Sequence, residues 1–120
     1  MNDYLNCRSV DVAQALDGAV RTTPCPIDEC GCARVSGRDV ARLGLRPLDK
    51  AALAFYPGII CLWRELPSPR PAAPSFLDGR AVRVDHDGTV TVLPGDLRRA
   101  GLLGQDFLIT TAWFDEVSVS

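Results

Sequence analysis

The chain has 120 residues, 47% of them hydrophobic and 23% charged, with a formal net charge of −2. That is the composition of a globular domain with one shared core, and it excludes a generally basic, unspecific polyanion binder. No run of about 18 apolar residues occurs, so no membrane-spanning helix is expected, and the first residues lack the basic and apolar regions of a signal peptide, which predicts a cytoplasmic protein.

In chain order, Ser9–Gly18 reads as a short helix with Ser9 as N-cap and Gly18 past its end, or, from Val10 and Val12, as the start of a strand. Ala33-Arg34-Val35 reads as a strand and Arg38–Leu43 as a short helix. Leu53–Tyr56 and Ile59–Trp63 flank Pro57-Gly58 as a hairpin. Leu66–Ser75 is proline-rich and reads as a semi-rigid extended linker. Beyond it, Arg80–Val84 alternates like a half-buried strand, Asp85-His86-Asp87-Gly88 is a turn, and Thr89–Leu93 returns as a β-branched strand that Pro94 ends. Gly95–Leu102 is one or two helical turns, Phe107–Ala112 a strand, Trp113–Glu116 a bend and Val117–Val119 a last strand.

The two halves of this series are the same series. A shift of 57 residues superposes Asp28 on Asp85, Gly31 on Gly88, Val35 on Val92, Asp39 on Asp96, Arg42 on Arg99, Gly44 on Gly101, Leu45 on Leu102 and Asp49 on Asp106. Gly18–Arg21 also matches Gly79–Arg83, at a different offset, which predicts an insertion at about Thr22 to Pro26. The expected organisation is one domain over 1–120, with repeats at 18–63 and 77–120 joined by a linker at 64–76. Each repeat is too short to close a core alone.

Val84-Asp85-His86-Asp87-Gly88-Thr89-Val90-Thr91-Val92-Leu93-Pro94, Leu97-Arg98-Arg99-Ala100-Gly101-Leu102 and Gly104-Gln105-Asp106, with their first-half counterparts, resemble the AbrB/MraZ superfamily. The resemblance implies an all-β fold with short helices, a cradle-loop (swapped-hairpin) barrel made from two tandem repeats. It also implies DNA binding, as a transcription regulator or antitoxin, and homo-oligomerisation. The arginine that the family carries directly after the turn glycine is replaced here by Cys32 and Thr89, and Ser36-Gly37 stands where the first repeat should have its proline.

Twelve of the thirteen cations are arginines, Lys50 being the exception, and arginine is the better fork for phosphate and base edges. Arg38, Arg42 and Arg46 lie four apart and would share one face of a helix that continued far enough. With Arg34, Arg98 and Arg99 they form the expected DNA-binding set, a bipartite surface related by the repeat. The competing reading is a set of solvated helix faces balanced by Asp39 and Asp96. Cys25, Cys30 and Cys32 lie close enough in sequence to suggest zinc, a disulfide or a redox sensor, against plain reduced thiols; the missing Cys-x2-Cys knuckle leaves no metal or other cofactor expected. No catalytic motif is present, and His86 is the only histidine, so no enzyme activity is expected. Tyr56 and Trp113 are repeat-equivalent aromatics suited to a structural or interface role. Two functions follow: a DNA-binding regulator, or a protein-interaction or assembly module without DNA binding.

Overall fold

The computed structural model describes residues 21–66, 75–113 and 116–120. The element expected over Ser9–Gly18 and most of the proline linker lie outside the described residues. The chain is mostly β with two short helices: β1 Arg21–Cys25, β2 Ala33–Val35, α1 Gly37–Arg42, β3 Lys50–Tyr56, β4 Ile59–Trp63, β5 Asp78–Arg83, β6 Val90–Val92, α2 Pro94–Arg99, β7 Leu108–Ala112 and β8 Val117–Val119. No helix among the described residues is long and apolar enough to cross a membrane.

Period-two patterning sets the strands. β2, β6 and β8 bury their outer two residues and turn Arg34, Thr91 and Ser118 outward. The two Asp-x-x-Gly turns are built alike. Gly31 and Gly88 take φ of 82° and 85°, and their amides donate to the Asp28 and Asp85 carbonyls at 3.0 and 2.9 Å. Ser36 caps α1 by accepting from the Asp39 amide at 3.3 Å, and Pro94 opens α2, where its missing donor costs nothing.

β1-β7-β8-β4-β3-β5 form one antiparallel six-stranded sheet, and β2 pairs with β6 in a separate ribbon. The 57-residue shift exchanges β1 with β5, β7 with β3 and β8 with β4, so the sheet reads the same from either edge. Arg34 faces its own counterpart Thr91 in the ribbon, and Cys61 faces its counterpart Ser118 in the sheet. Only β3–β4 and β7–β8 pair within a half; β1–β7, β2–β6, β3–β5 and β4–β8 all join one half to the other. Among the described residues the sheet keeps two edges, β1 and β5, and is not closed into a barrel.

The register corrects one expectation. Arg21 pairs with Ala112 and Asp78 with Phe55, so β1 and β5 correspond at the same 57-residue shift as everything after them. Thr22 to Cys25 are therefore strand rather than insertion. The Gly18–Arg21 match was a coincidence of small and β-branched residues, whereas the true register is fixed by the buried face, which puts Cys25 and Val82 toward the core.

That core lies between sheet, ribbon and helices. Leu53, Phe55, Ile60, Leu62, Val117 and Val119 project from the sheet against Val35, Val90 and Val92 of the ribbon and Val40 and Leu97 of the helices. The opposite face of the sheet carries the alternate residues. Ala52 and Ala54 are buried there, outside the main core, and the Leu66 methyls lie where a Cβ on Gly79 would come within 3.0 Å.

Candidate nucleic-acid interface

Of the arginines expected to bind DNA, Arg34 and Arg99 are engaged by acidic partners, and Arg46 lies beyond its helix. Arg34, at the centre of β2, donates to the Thr89 hydroxyl at 3.2 Å and lies 3.7 and 3.9 Å from the carboxylates of Asp87 and Asp85. Hydrogen bonds from the Thr89 hydroxyl and amide, at 2.7 and 3.0 Å, hold the Asp87 carboxyl below the usual carboxylate range, with Arg34 adding to the effect. Asp28 and Glu29 stand exposed on the other turn. The ribbon that bears Arg34 is thus bordered by acid.

α1 ends at Arg42, and Gly44 turns the chain away with φ of 77°. Arg46 therefore lies beyond the helix, in a turn where its amide donates to the Asp49 carboxylate at 2.8 Å, and the face shared by Arg38, Arg42 and Arg46 does not form. Arg38 and Arg98 are exposed and Arg42 half-buried. Arg99 pairs with Asp78 at 2.6 Å, its guanidinium 5.4 Å from the Phe55 ring centroid.

Asp39 and Asp96 do not balance those helix arginines at the surface. They are 1% and 7% exposed, and each fastens a helix start to a strand. Arg21 of β1 reaches Asp39 at 3.1 Å, and Arg80 of β5 grips Asp96 with two bonds of 2.6 and 2.7 Å. The hydrogen bonds to Asp96 raise the Arg80 pKa further. Asp96 also accepts from the Leu93 amide at 2.9 Å, and Asp39 from the Ser36 hydroxyl at 2.9 Å.

A different set of cations comes together. Lys50 and Arg83 sit directly opposite each other across β3 and β5, both exposed, with Arg83 fixed by donating to the Leu48 carbonyl at 2.7 Å. Lys50 and Arg64 line an open groove of ≈ 600 Å³ with Asp49 and Glu65, and Lys50 and Arg83 line a second one beside it of ≈ 340 Å³. Arg46 is exposed on the loop that leads into β3. Facing like charges repel across a strand pair, so an anion laid over them relieves a cost the free protein carries. The set lies at one end of the sheet only: under the repeat the counterparts of Arg46, Lys50 and Arg83 are Leu103, Phe107 and Pro26, all exposed. Of these four cations only Arg46 was in the expected set. Lys50 and Arg83 are far apart in sequence, and strand register alone brings them together.

The cysteines go separate ways. Cys25 is buried, its thiol 3.5 Å from the Arg34 carbonyl, while Cys30 is exposed on the turn. The Asp28 carboxylate accepts the amides of Cys30 and Cys32 at 2.9 Å each, and partial desolvation, then Asp28, raises the Cys32 thiol pKa. No group of three or more His, Cys, Asp or Glu suited to a metal ion occurs among the described residues. In β4, burial pushes the Cys61 thiol up to about 12, with Glu116 contributing.

A second exposed feature lies on the sheet face away from the core. Tyr56, Ile59, Trp63 and Trp113 line a shallow groove of ≈ 410 Å³ around Cys61, with Glu116 at its rim accepting the Trp63 indole N–H at 2.7 Å. Comparisons with known protein families, curated proteins and solved structures found no match to the chain.

Proposed function

We propose that the chain is a DNA-binding regulator of the AbrB/MraZ type, a swapped-hairpin barrel in architecture, which meets phosphates with its Lys50–Arg83 end rather than with the arginines of α1 and α2. The motif resemblance and the interleaving of the two halves support the architecture. The observation that carries the DNA reading is the facing pair Lys50 and Arg83, with Arg64 beside Lys50 in a groove that Asp49 and Glu65 also line. At Arg34, by contrast, a phosphate would have to compete with Asp85 and Asp87.

The test is binding to DNA fragments, including the stretch upstream of the chain's own gene, across a salt series. Each phosphate contact contributes about 0.9 to the slope of log affinity against log salt. Lys50→Ala/Arg83→Ala should therefore lower the slope by about 1.8, while Arg34→Ala leaves it unchanged. A wild-type chain that binds no DNA at low salt overturns the reading.

The exposed aromatic groove favours a second reading, an assembly or protein-interaction module on the same architecture. It predicts association that is indifferent to Lys50 and Arg83.

A further inference from the structure

The aromatic groove holds a charge that nothing in it balances. Trp113, Glu116 and Trp63 sit side by side at one end of β7, β8 and β4: the Trp113 amide donates to the Glu116 carbonyl at 2.7 Å, and the Trp63 indole N–H to the Glu116 carboxylate at 2.7 Å. Asp39, Asp78, Asp85, Asp87 and Asp96 each face an arginine. Glu116 has no cation within ion-pair distance among the described residues, and none of those that line the groove is a lysine or arginine. Its side-chain partners are neutral: the Trp63 indole and the Cys61 thiol, which burial, then Glu116, keeps protonated. Burial lifts the Tyr56 phenol as well, so Glu116 is the one charge among these lining residues at neutral pH.

The two tryptophans flank that charge. Strands two steps apart in a sheet lie about 9.6 Å from each other. A cation seated over Glu116 between them is therefore about 5 Å from each, inside the roughly 6 Å over which an indole attracts a cation. Among the described residues Tyr56 pairs with Phe76, and neither tryptophan carries a ring or a cation of the chain, so both indoles remain open to a ligand. An ammonium or guanidinium would bring N–H donors to a carboxylate that already accepts from Trp63 and Cys61. A quaternary ammonium has no N–H and binds through charge and contact with ring faces alone. Ser118 stands two residues along β8 from Glu116, about 7 Å away on the same face. Neither its hydroxyl nor that of Tyr56 has a hydrogen-bond partner among the described residues, which leaves a place for an alcohol at the end of a short arm.

We propose that the Trp63–Glu116–Trp113 groove binds a small, freely diffusing quaternary ammonium alcohol of the choline class, its cation between the indoles beside Glu116 and its hydroxyl toward Ser118. The site rests on neither the DNA reading nor the assembly reading.

The test is titration of the full chain with choline chloride, followed by tryptophan fluorescence and referred to sodium chloride at equal ionic strength. The expected result is a saturable change with a dissociation constant of about 10 mM or below. The neutral carbon analogue, in which a tert-butyl group replaces trimethylammonium, should bind about tenfold more weakly. Glu116→Gln keeps an acceptor for the Trp63 indole and removes only the charge. It should weaken choline about tenfold and leave the neutral analogue unchanged, a split that misfolding cannot produce. Trp113→Ala should weaken choline by a similar factor. No saturable change, equal affinity for choline and its neutral analogue, or choline binding indifferent to Glu116→Gln overturns the proposal. A trimethyllysine peptide that binds where free choline does not also overturns it, by giving the groove to a modified protein. None of these outcomes involves DNA, so a failure here leaves the Lys50–Arg83 reading standing.

Discussion

Asp39 and Asp96 show how much a single side chain does when it is buried with its partner. Removing Asp96 as Asp96→Ala leaves the Leu93 amide and the Arg80 guanidinium without their acceptor. Because Arg80 keeps about a third of its surface in water, the loss should be about 2–3 kcal/mol rather than the full cost of a dry ion pair, read from urea unfolding. Cys61 sets a second expectation. With its folded pKa near 12 against 9.0 in the open chain, the thiol is protonated in both states below pH 9, so its contribution is fully present there. As pH rises from 9 toward 12 the unfolded thiol ionises first and stability falls; Cys61→Ala should flatten that alkaline decline. In the wild-type protein at pH 8, alkylation followed by mass spectrometry should find the exposed Cys30 modified rapidly and the buried Cys61 only after denaturation. The repeat singled out Asp39 and Asp96 as an identical pair but not as buried. Their partners occupy inequivalent positions, since Arg21 corresponds to Asp78 and Arg80 to Thr23, so no comparison of the halves links acid to base.

Elements were most legible where short-range chemistry decides them. The two Asp-x-x-Gly turns, the Pro57-Gly58 hairpin and the valine-rich strands stand where the sequence puts them, because positive φ, missing donors and β-branching act within a few residues. A Cβ on Gly88 meets nothing nearer than the Pro47 ring at 4.0 Å, so Gly88→Ala carries backbone strain alone and should cost about 1 kcal/mol, with Gly88→Asn milder, by thermal unfolding. What depends on a distant partner was not legible. β3 begins at Lys50 rather than Leu53 because Ala51 and Ala52, poor strand formers, are ordered by pairing with Val82 and Ala81 of β5. α1 stops before Arg46 because Gly44 ends it, so Arg38 and Arg42 keep their spacing on the helix and Arg46 does not join them.

At the scale of the whole molecule, the two halves resemble each other in backbone while presenting different surfaces. Arg46, Lys50 and Arg83, drawn from both halves at one end of the sheet, correspond to Leu103, Phe107 and Pro26 at the other, so this cationic cluster has no counterpart under the repeat. The repeat was visible in sequence because turn and helix-end residues recur. The divergence of its ends was not, since it rests on which residues the pairing leaves in water. Four strand pairings join the halves against two within them. Chains covering 1–66 and 75–120 should therefore each give little β-sheet signal by circular dichroism and recover it on mixing.

The interleaving also dictates the order of events during synthesis. Among the described strands β1 pairs only with β7, and β4 needs β8 on its outer edge, so a growing chain that has released its first half from the ribosome holds strands whose partners have not been made. At typical elongation rates that interval lasts several seconds, far longer than a hairpin takes to form. The exposed edges accept any strand of matching pattern, and a first half on a neighbouring ribosome offers one. The pairing that makes the halves inseparable in the finished fold thus makes nascent copies prone to exchange, and crowded translation of one message should raise the share of chains that finish folded around each other.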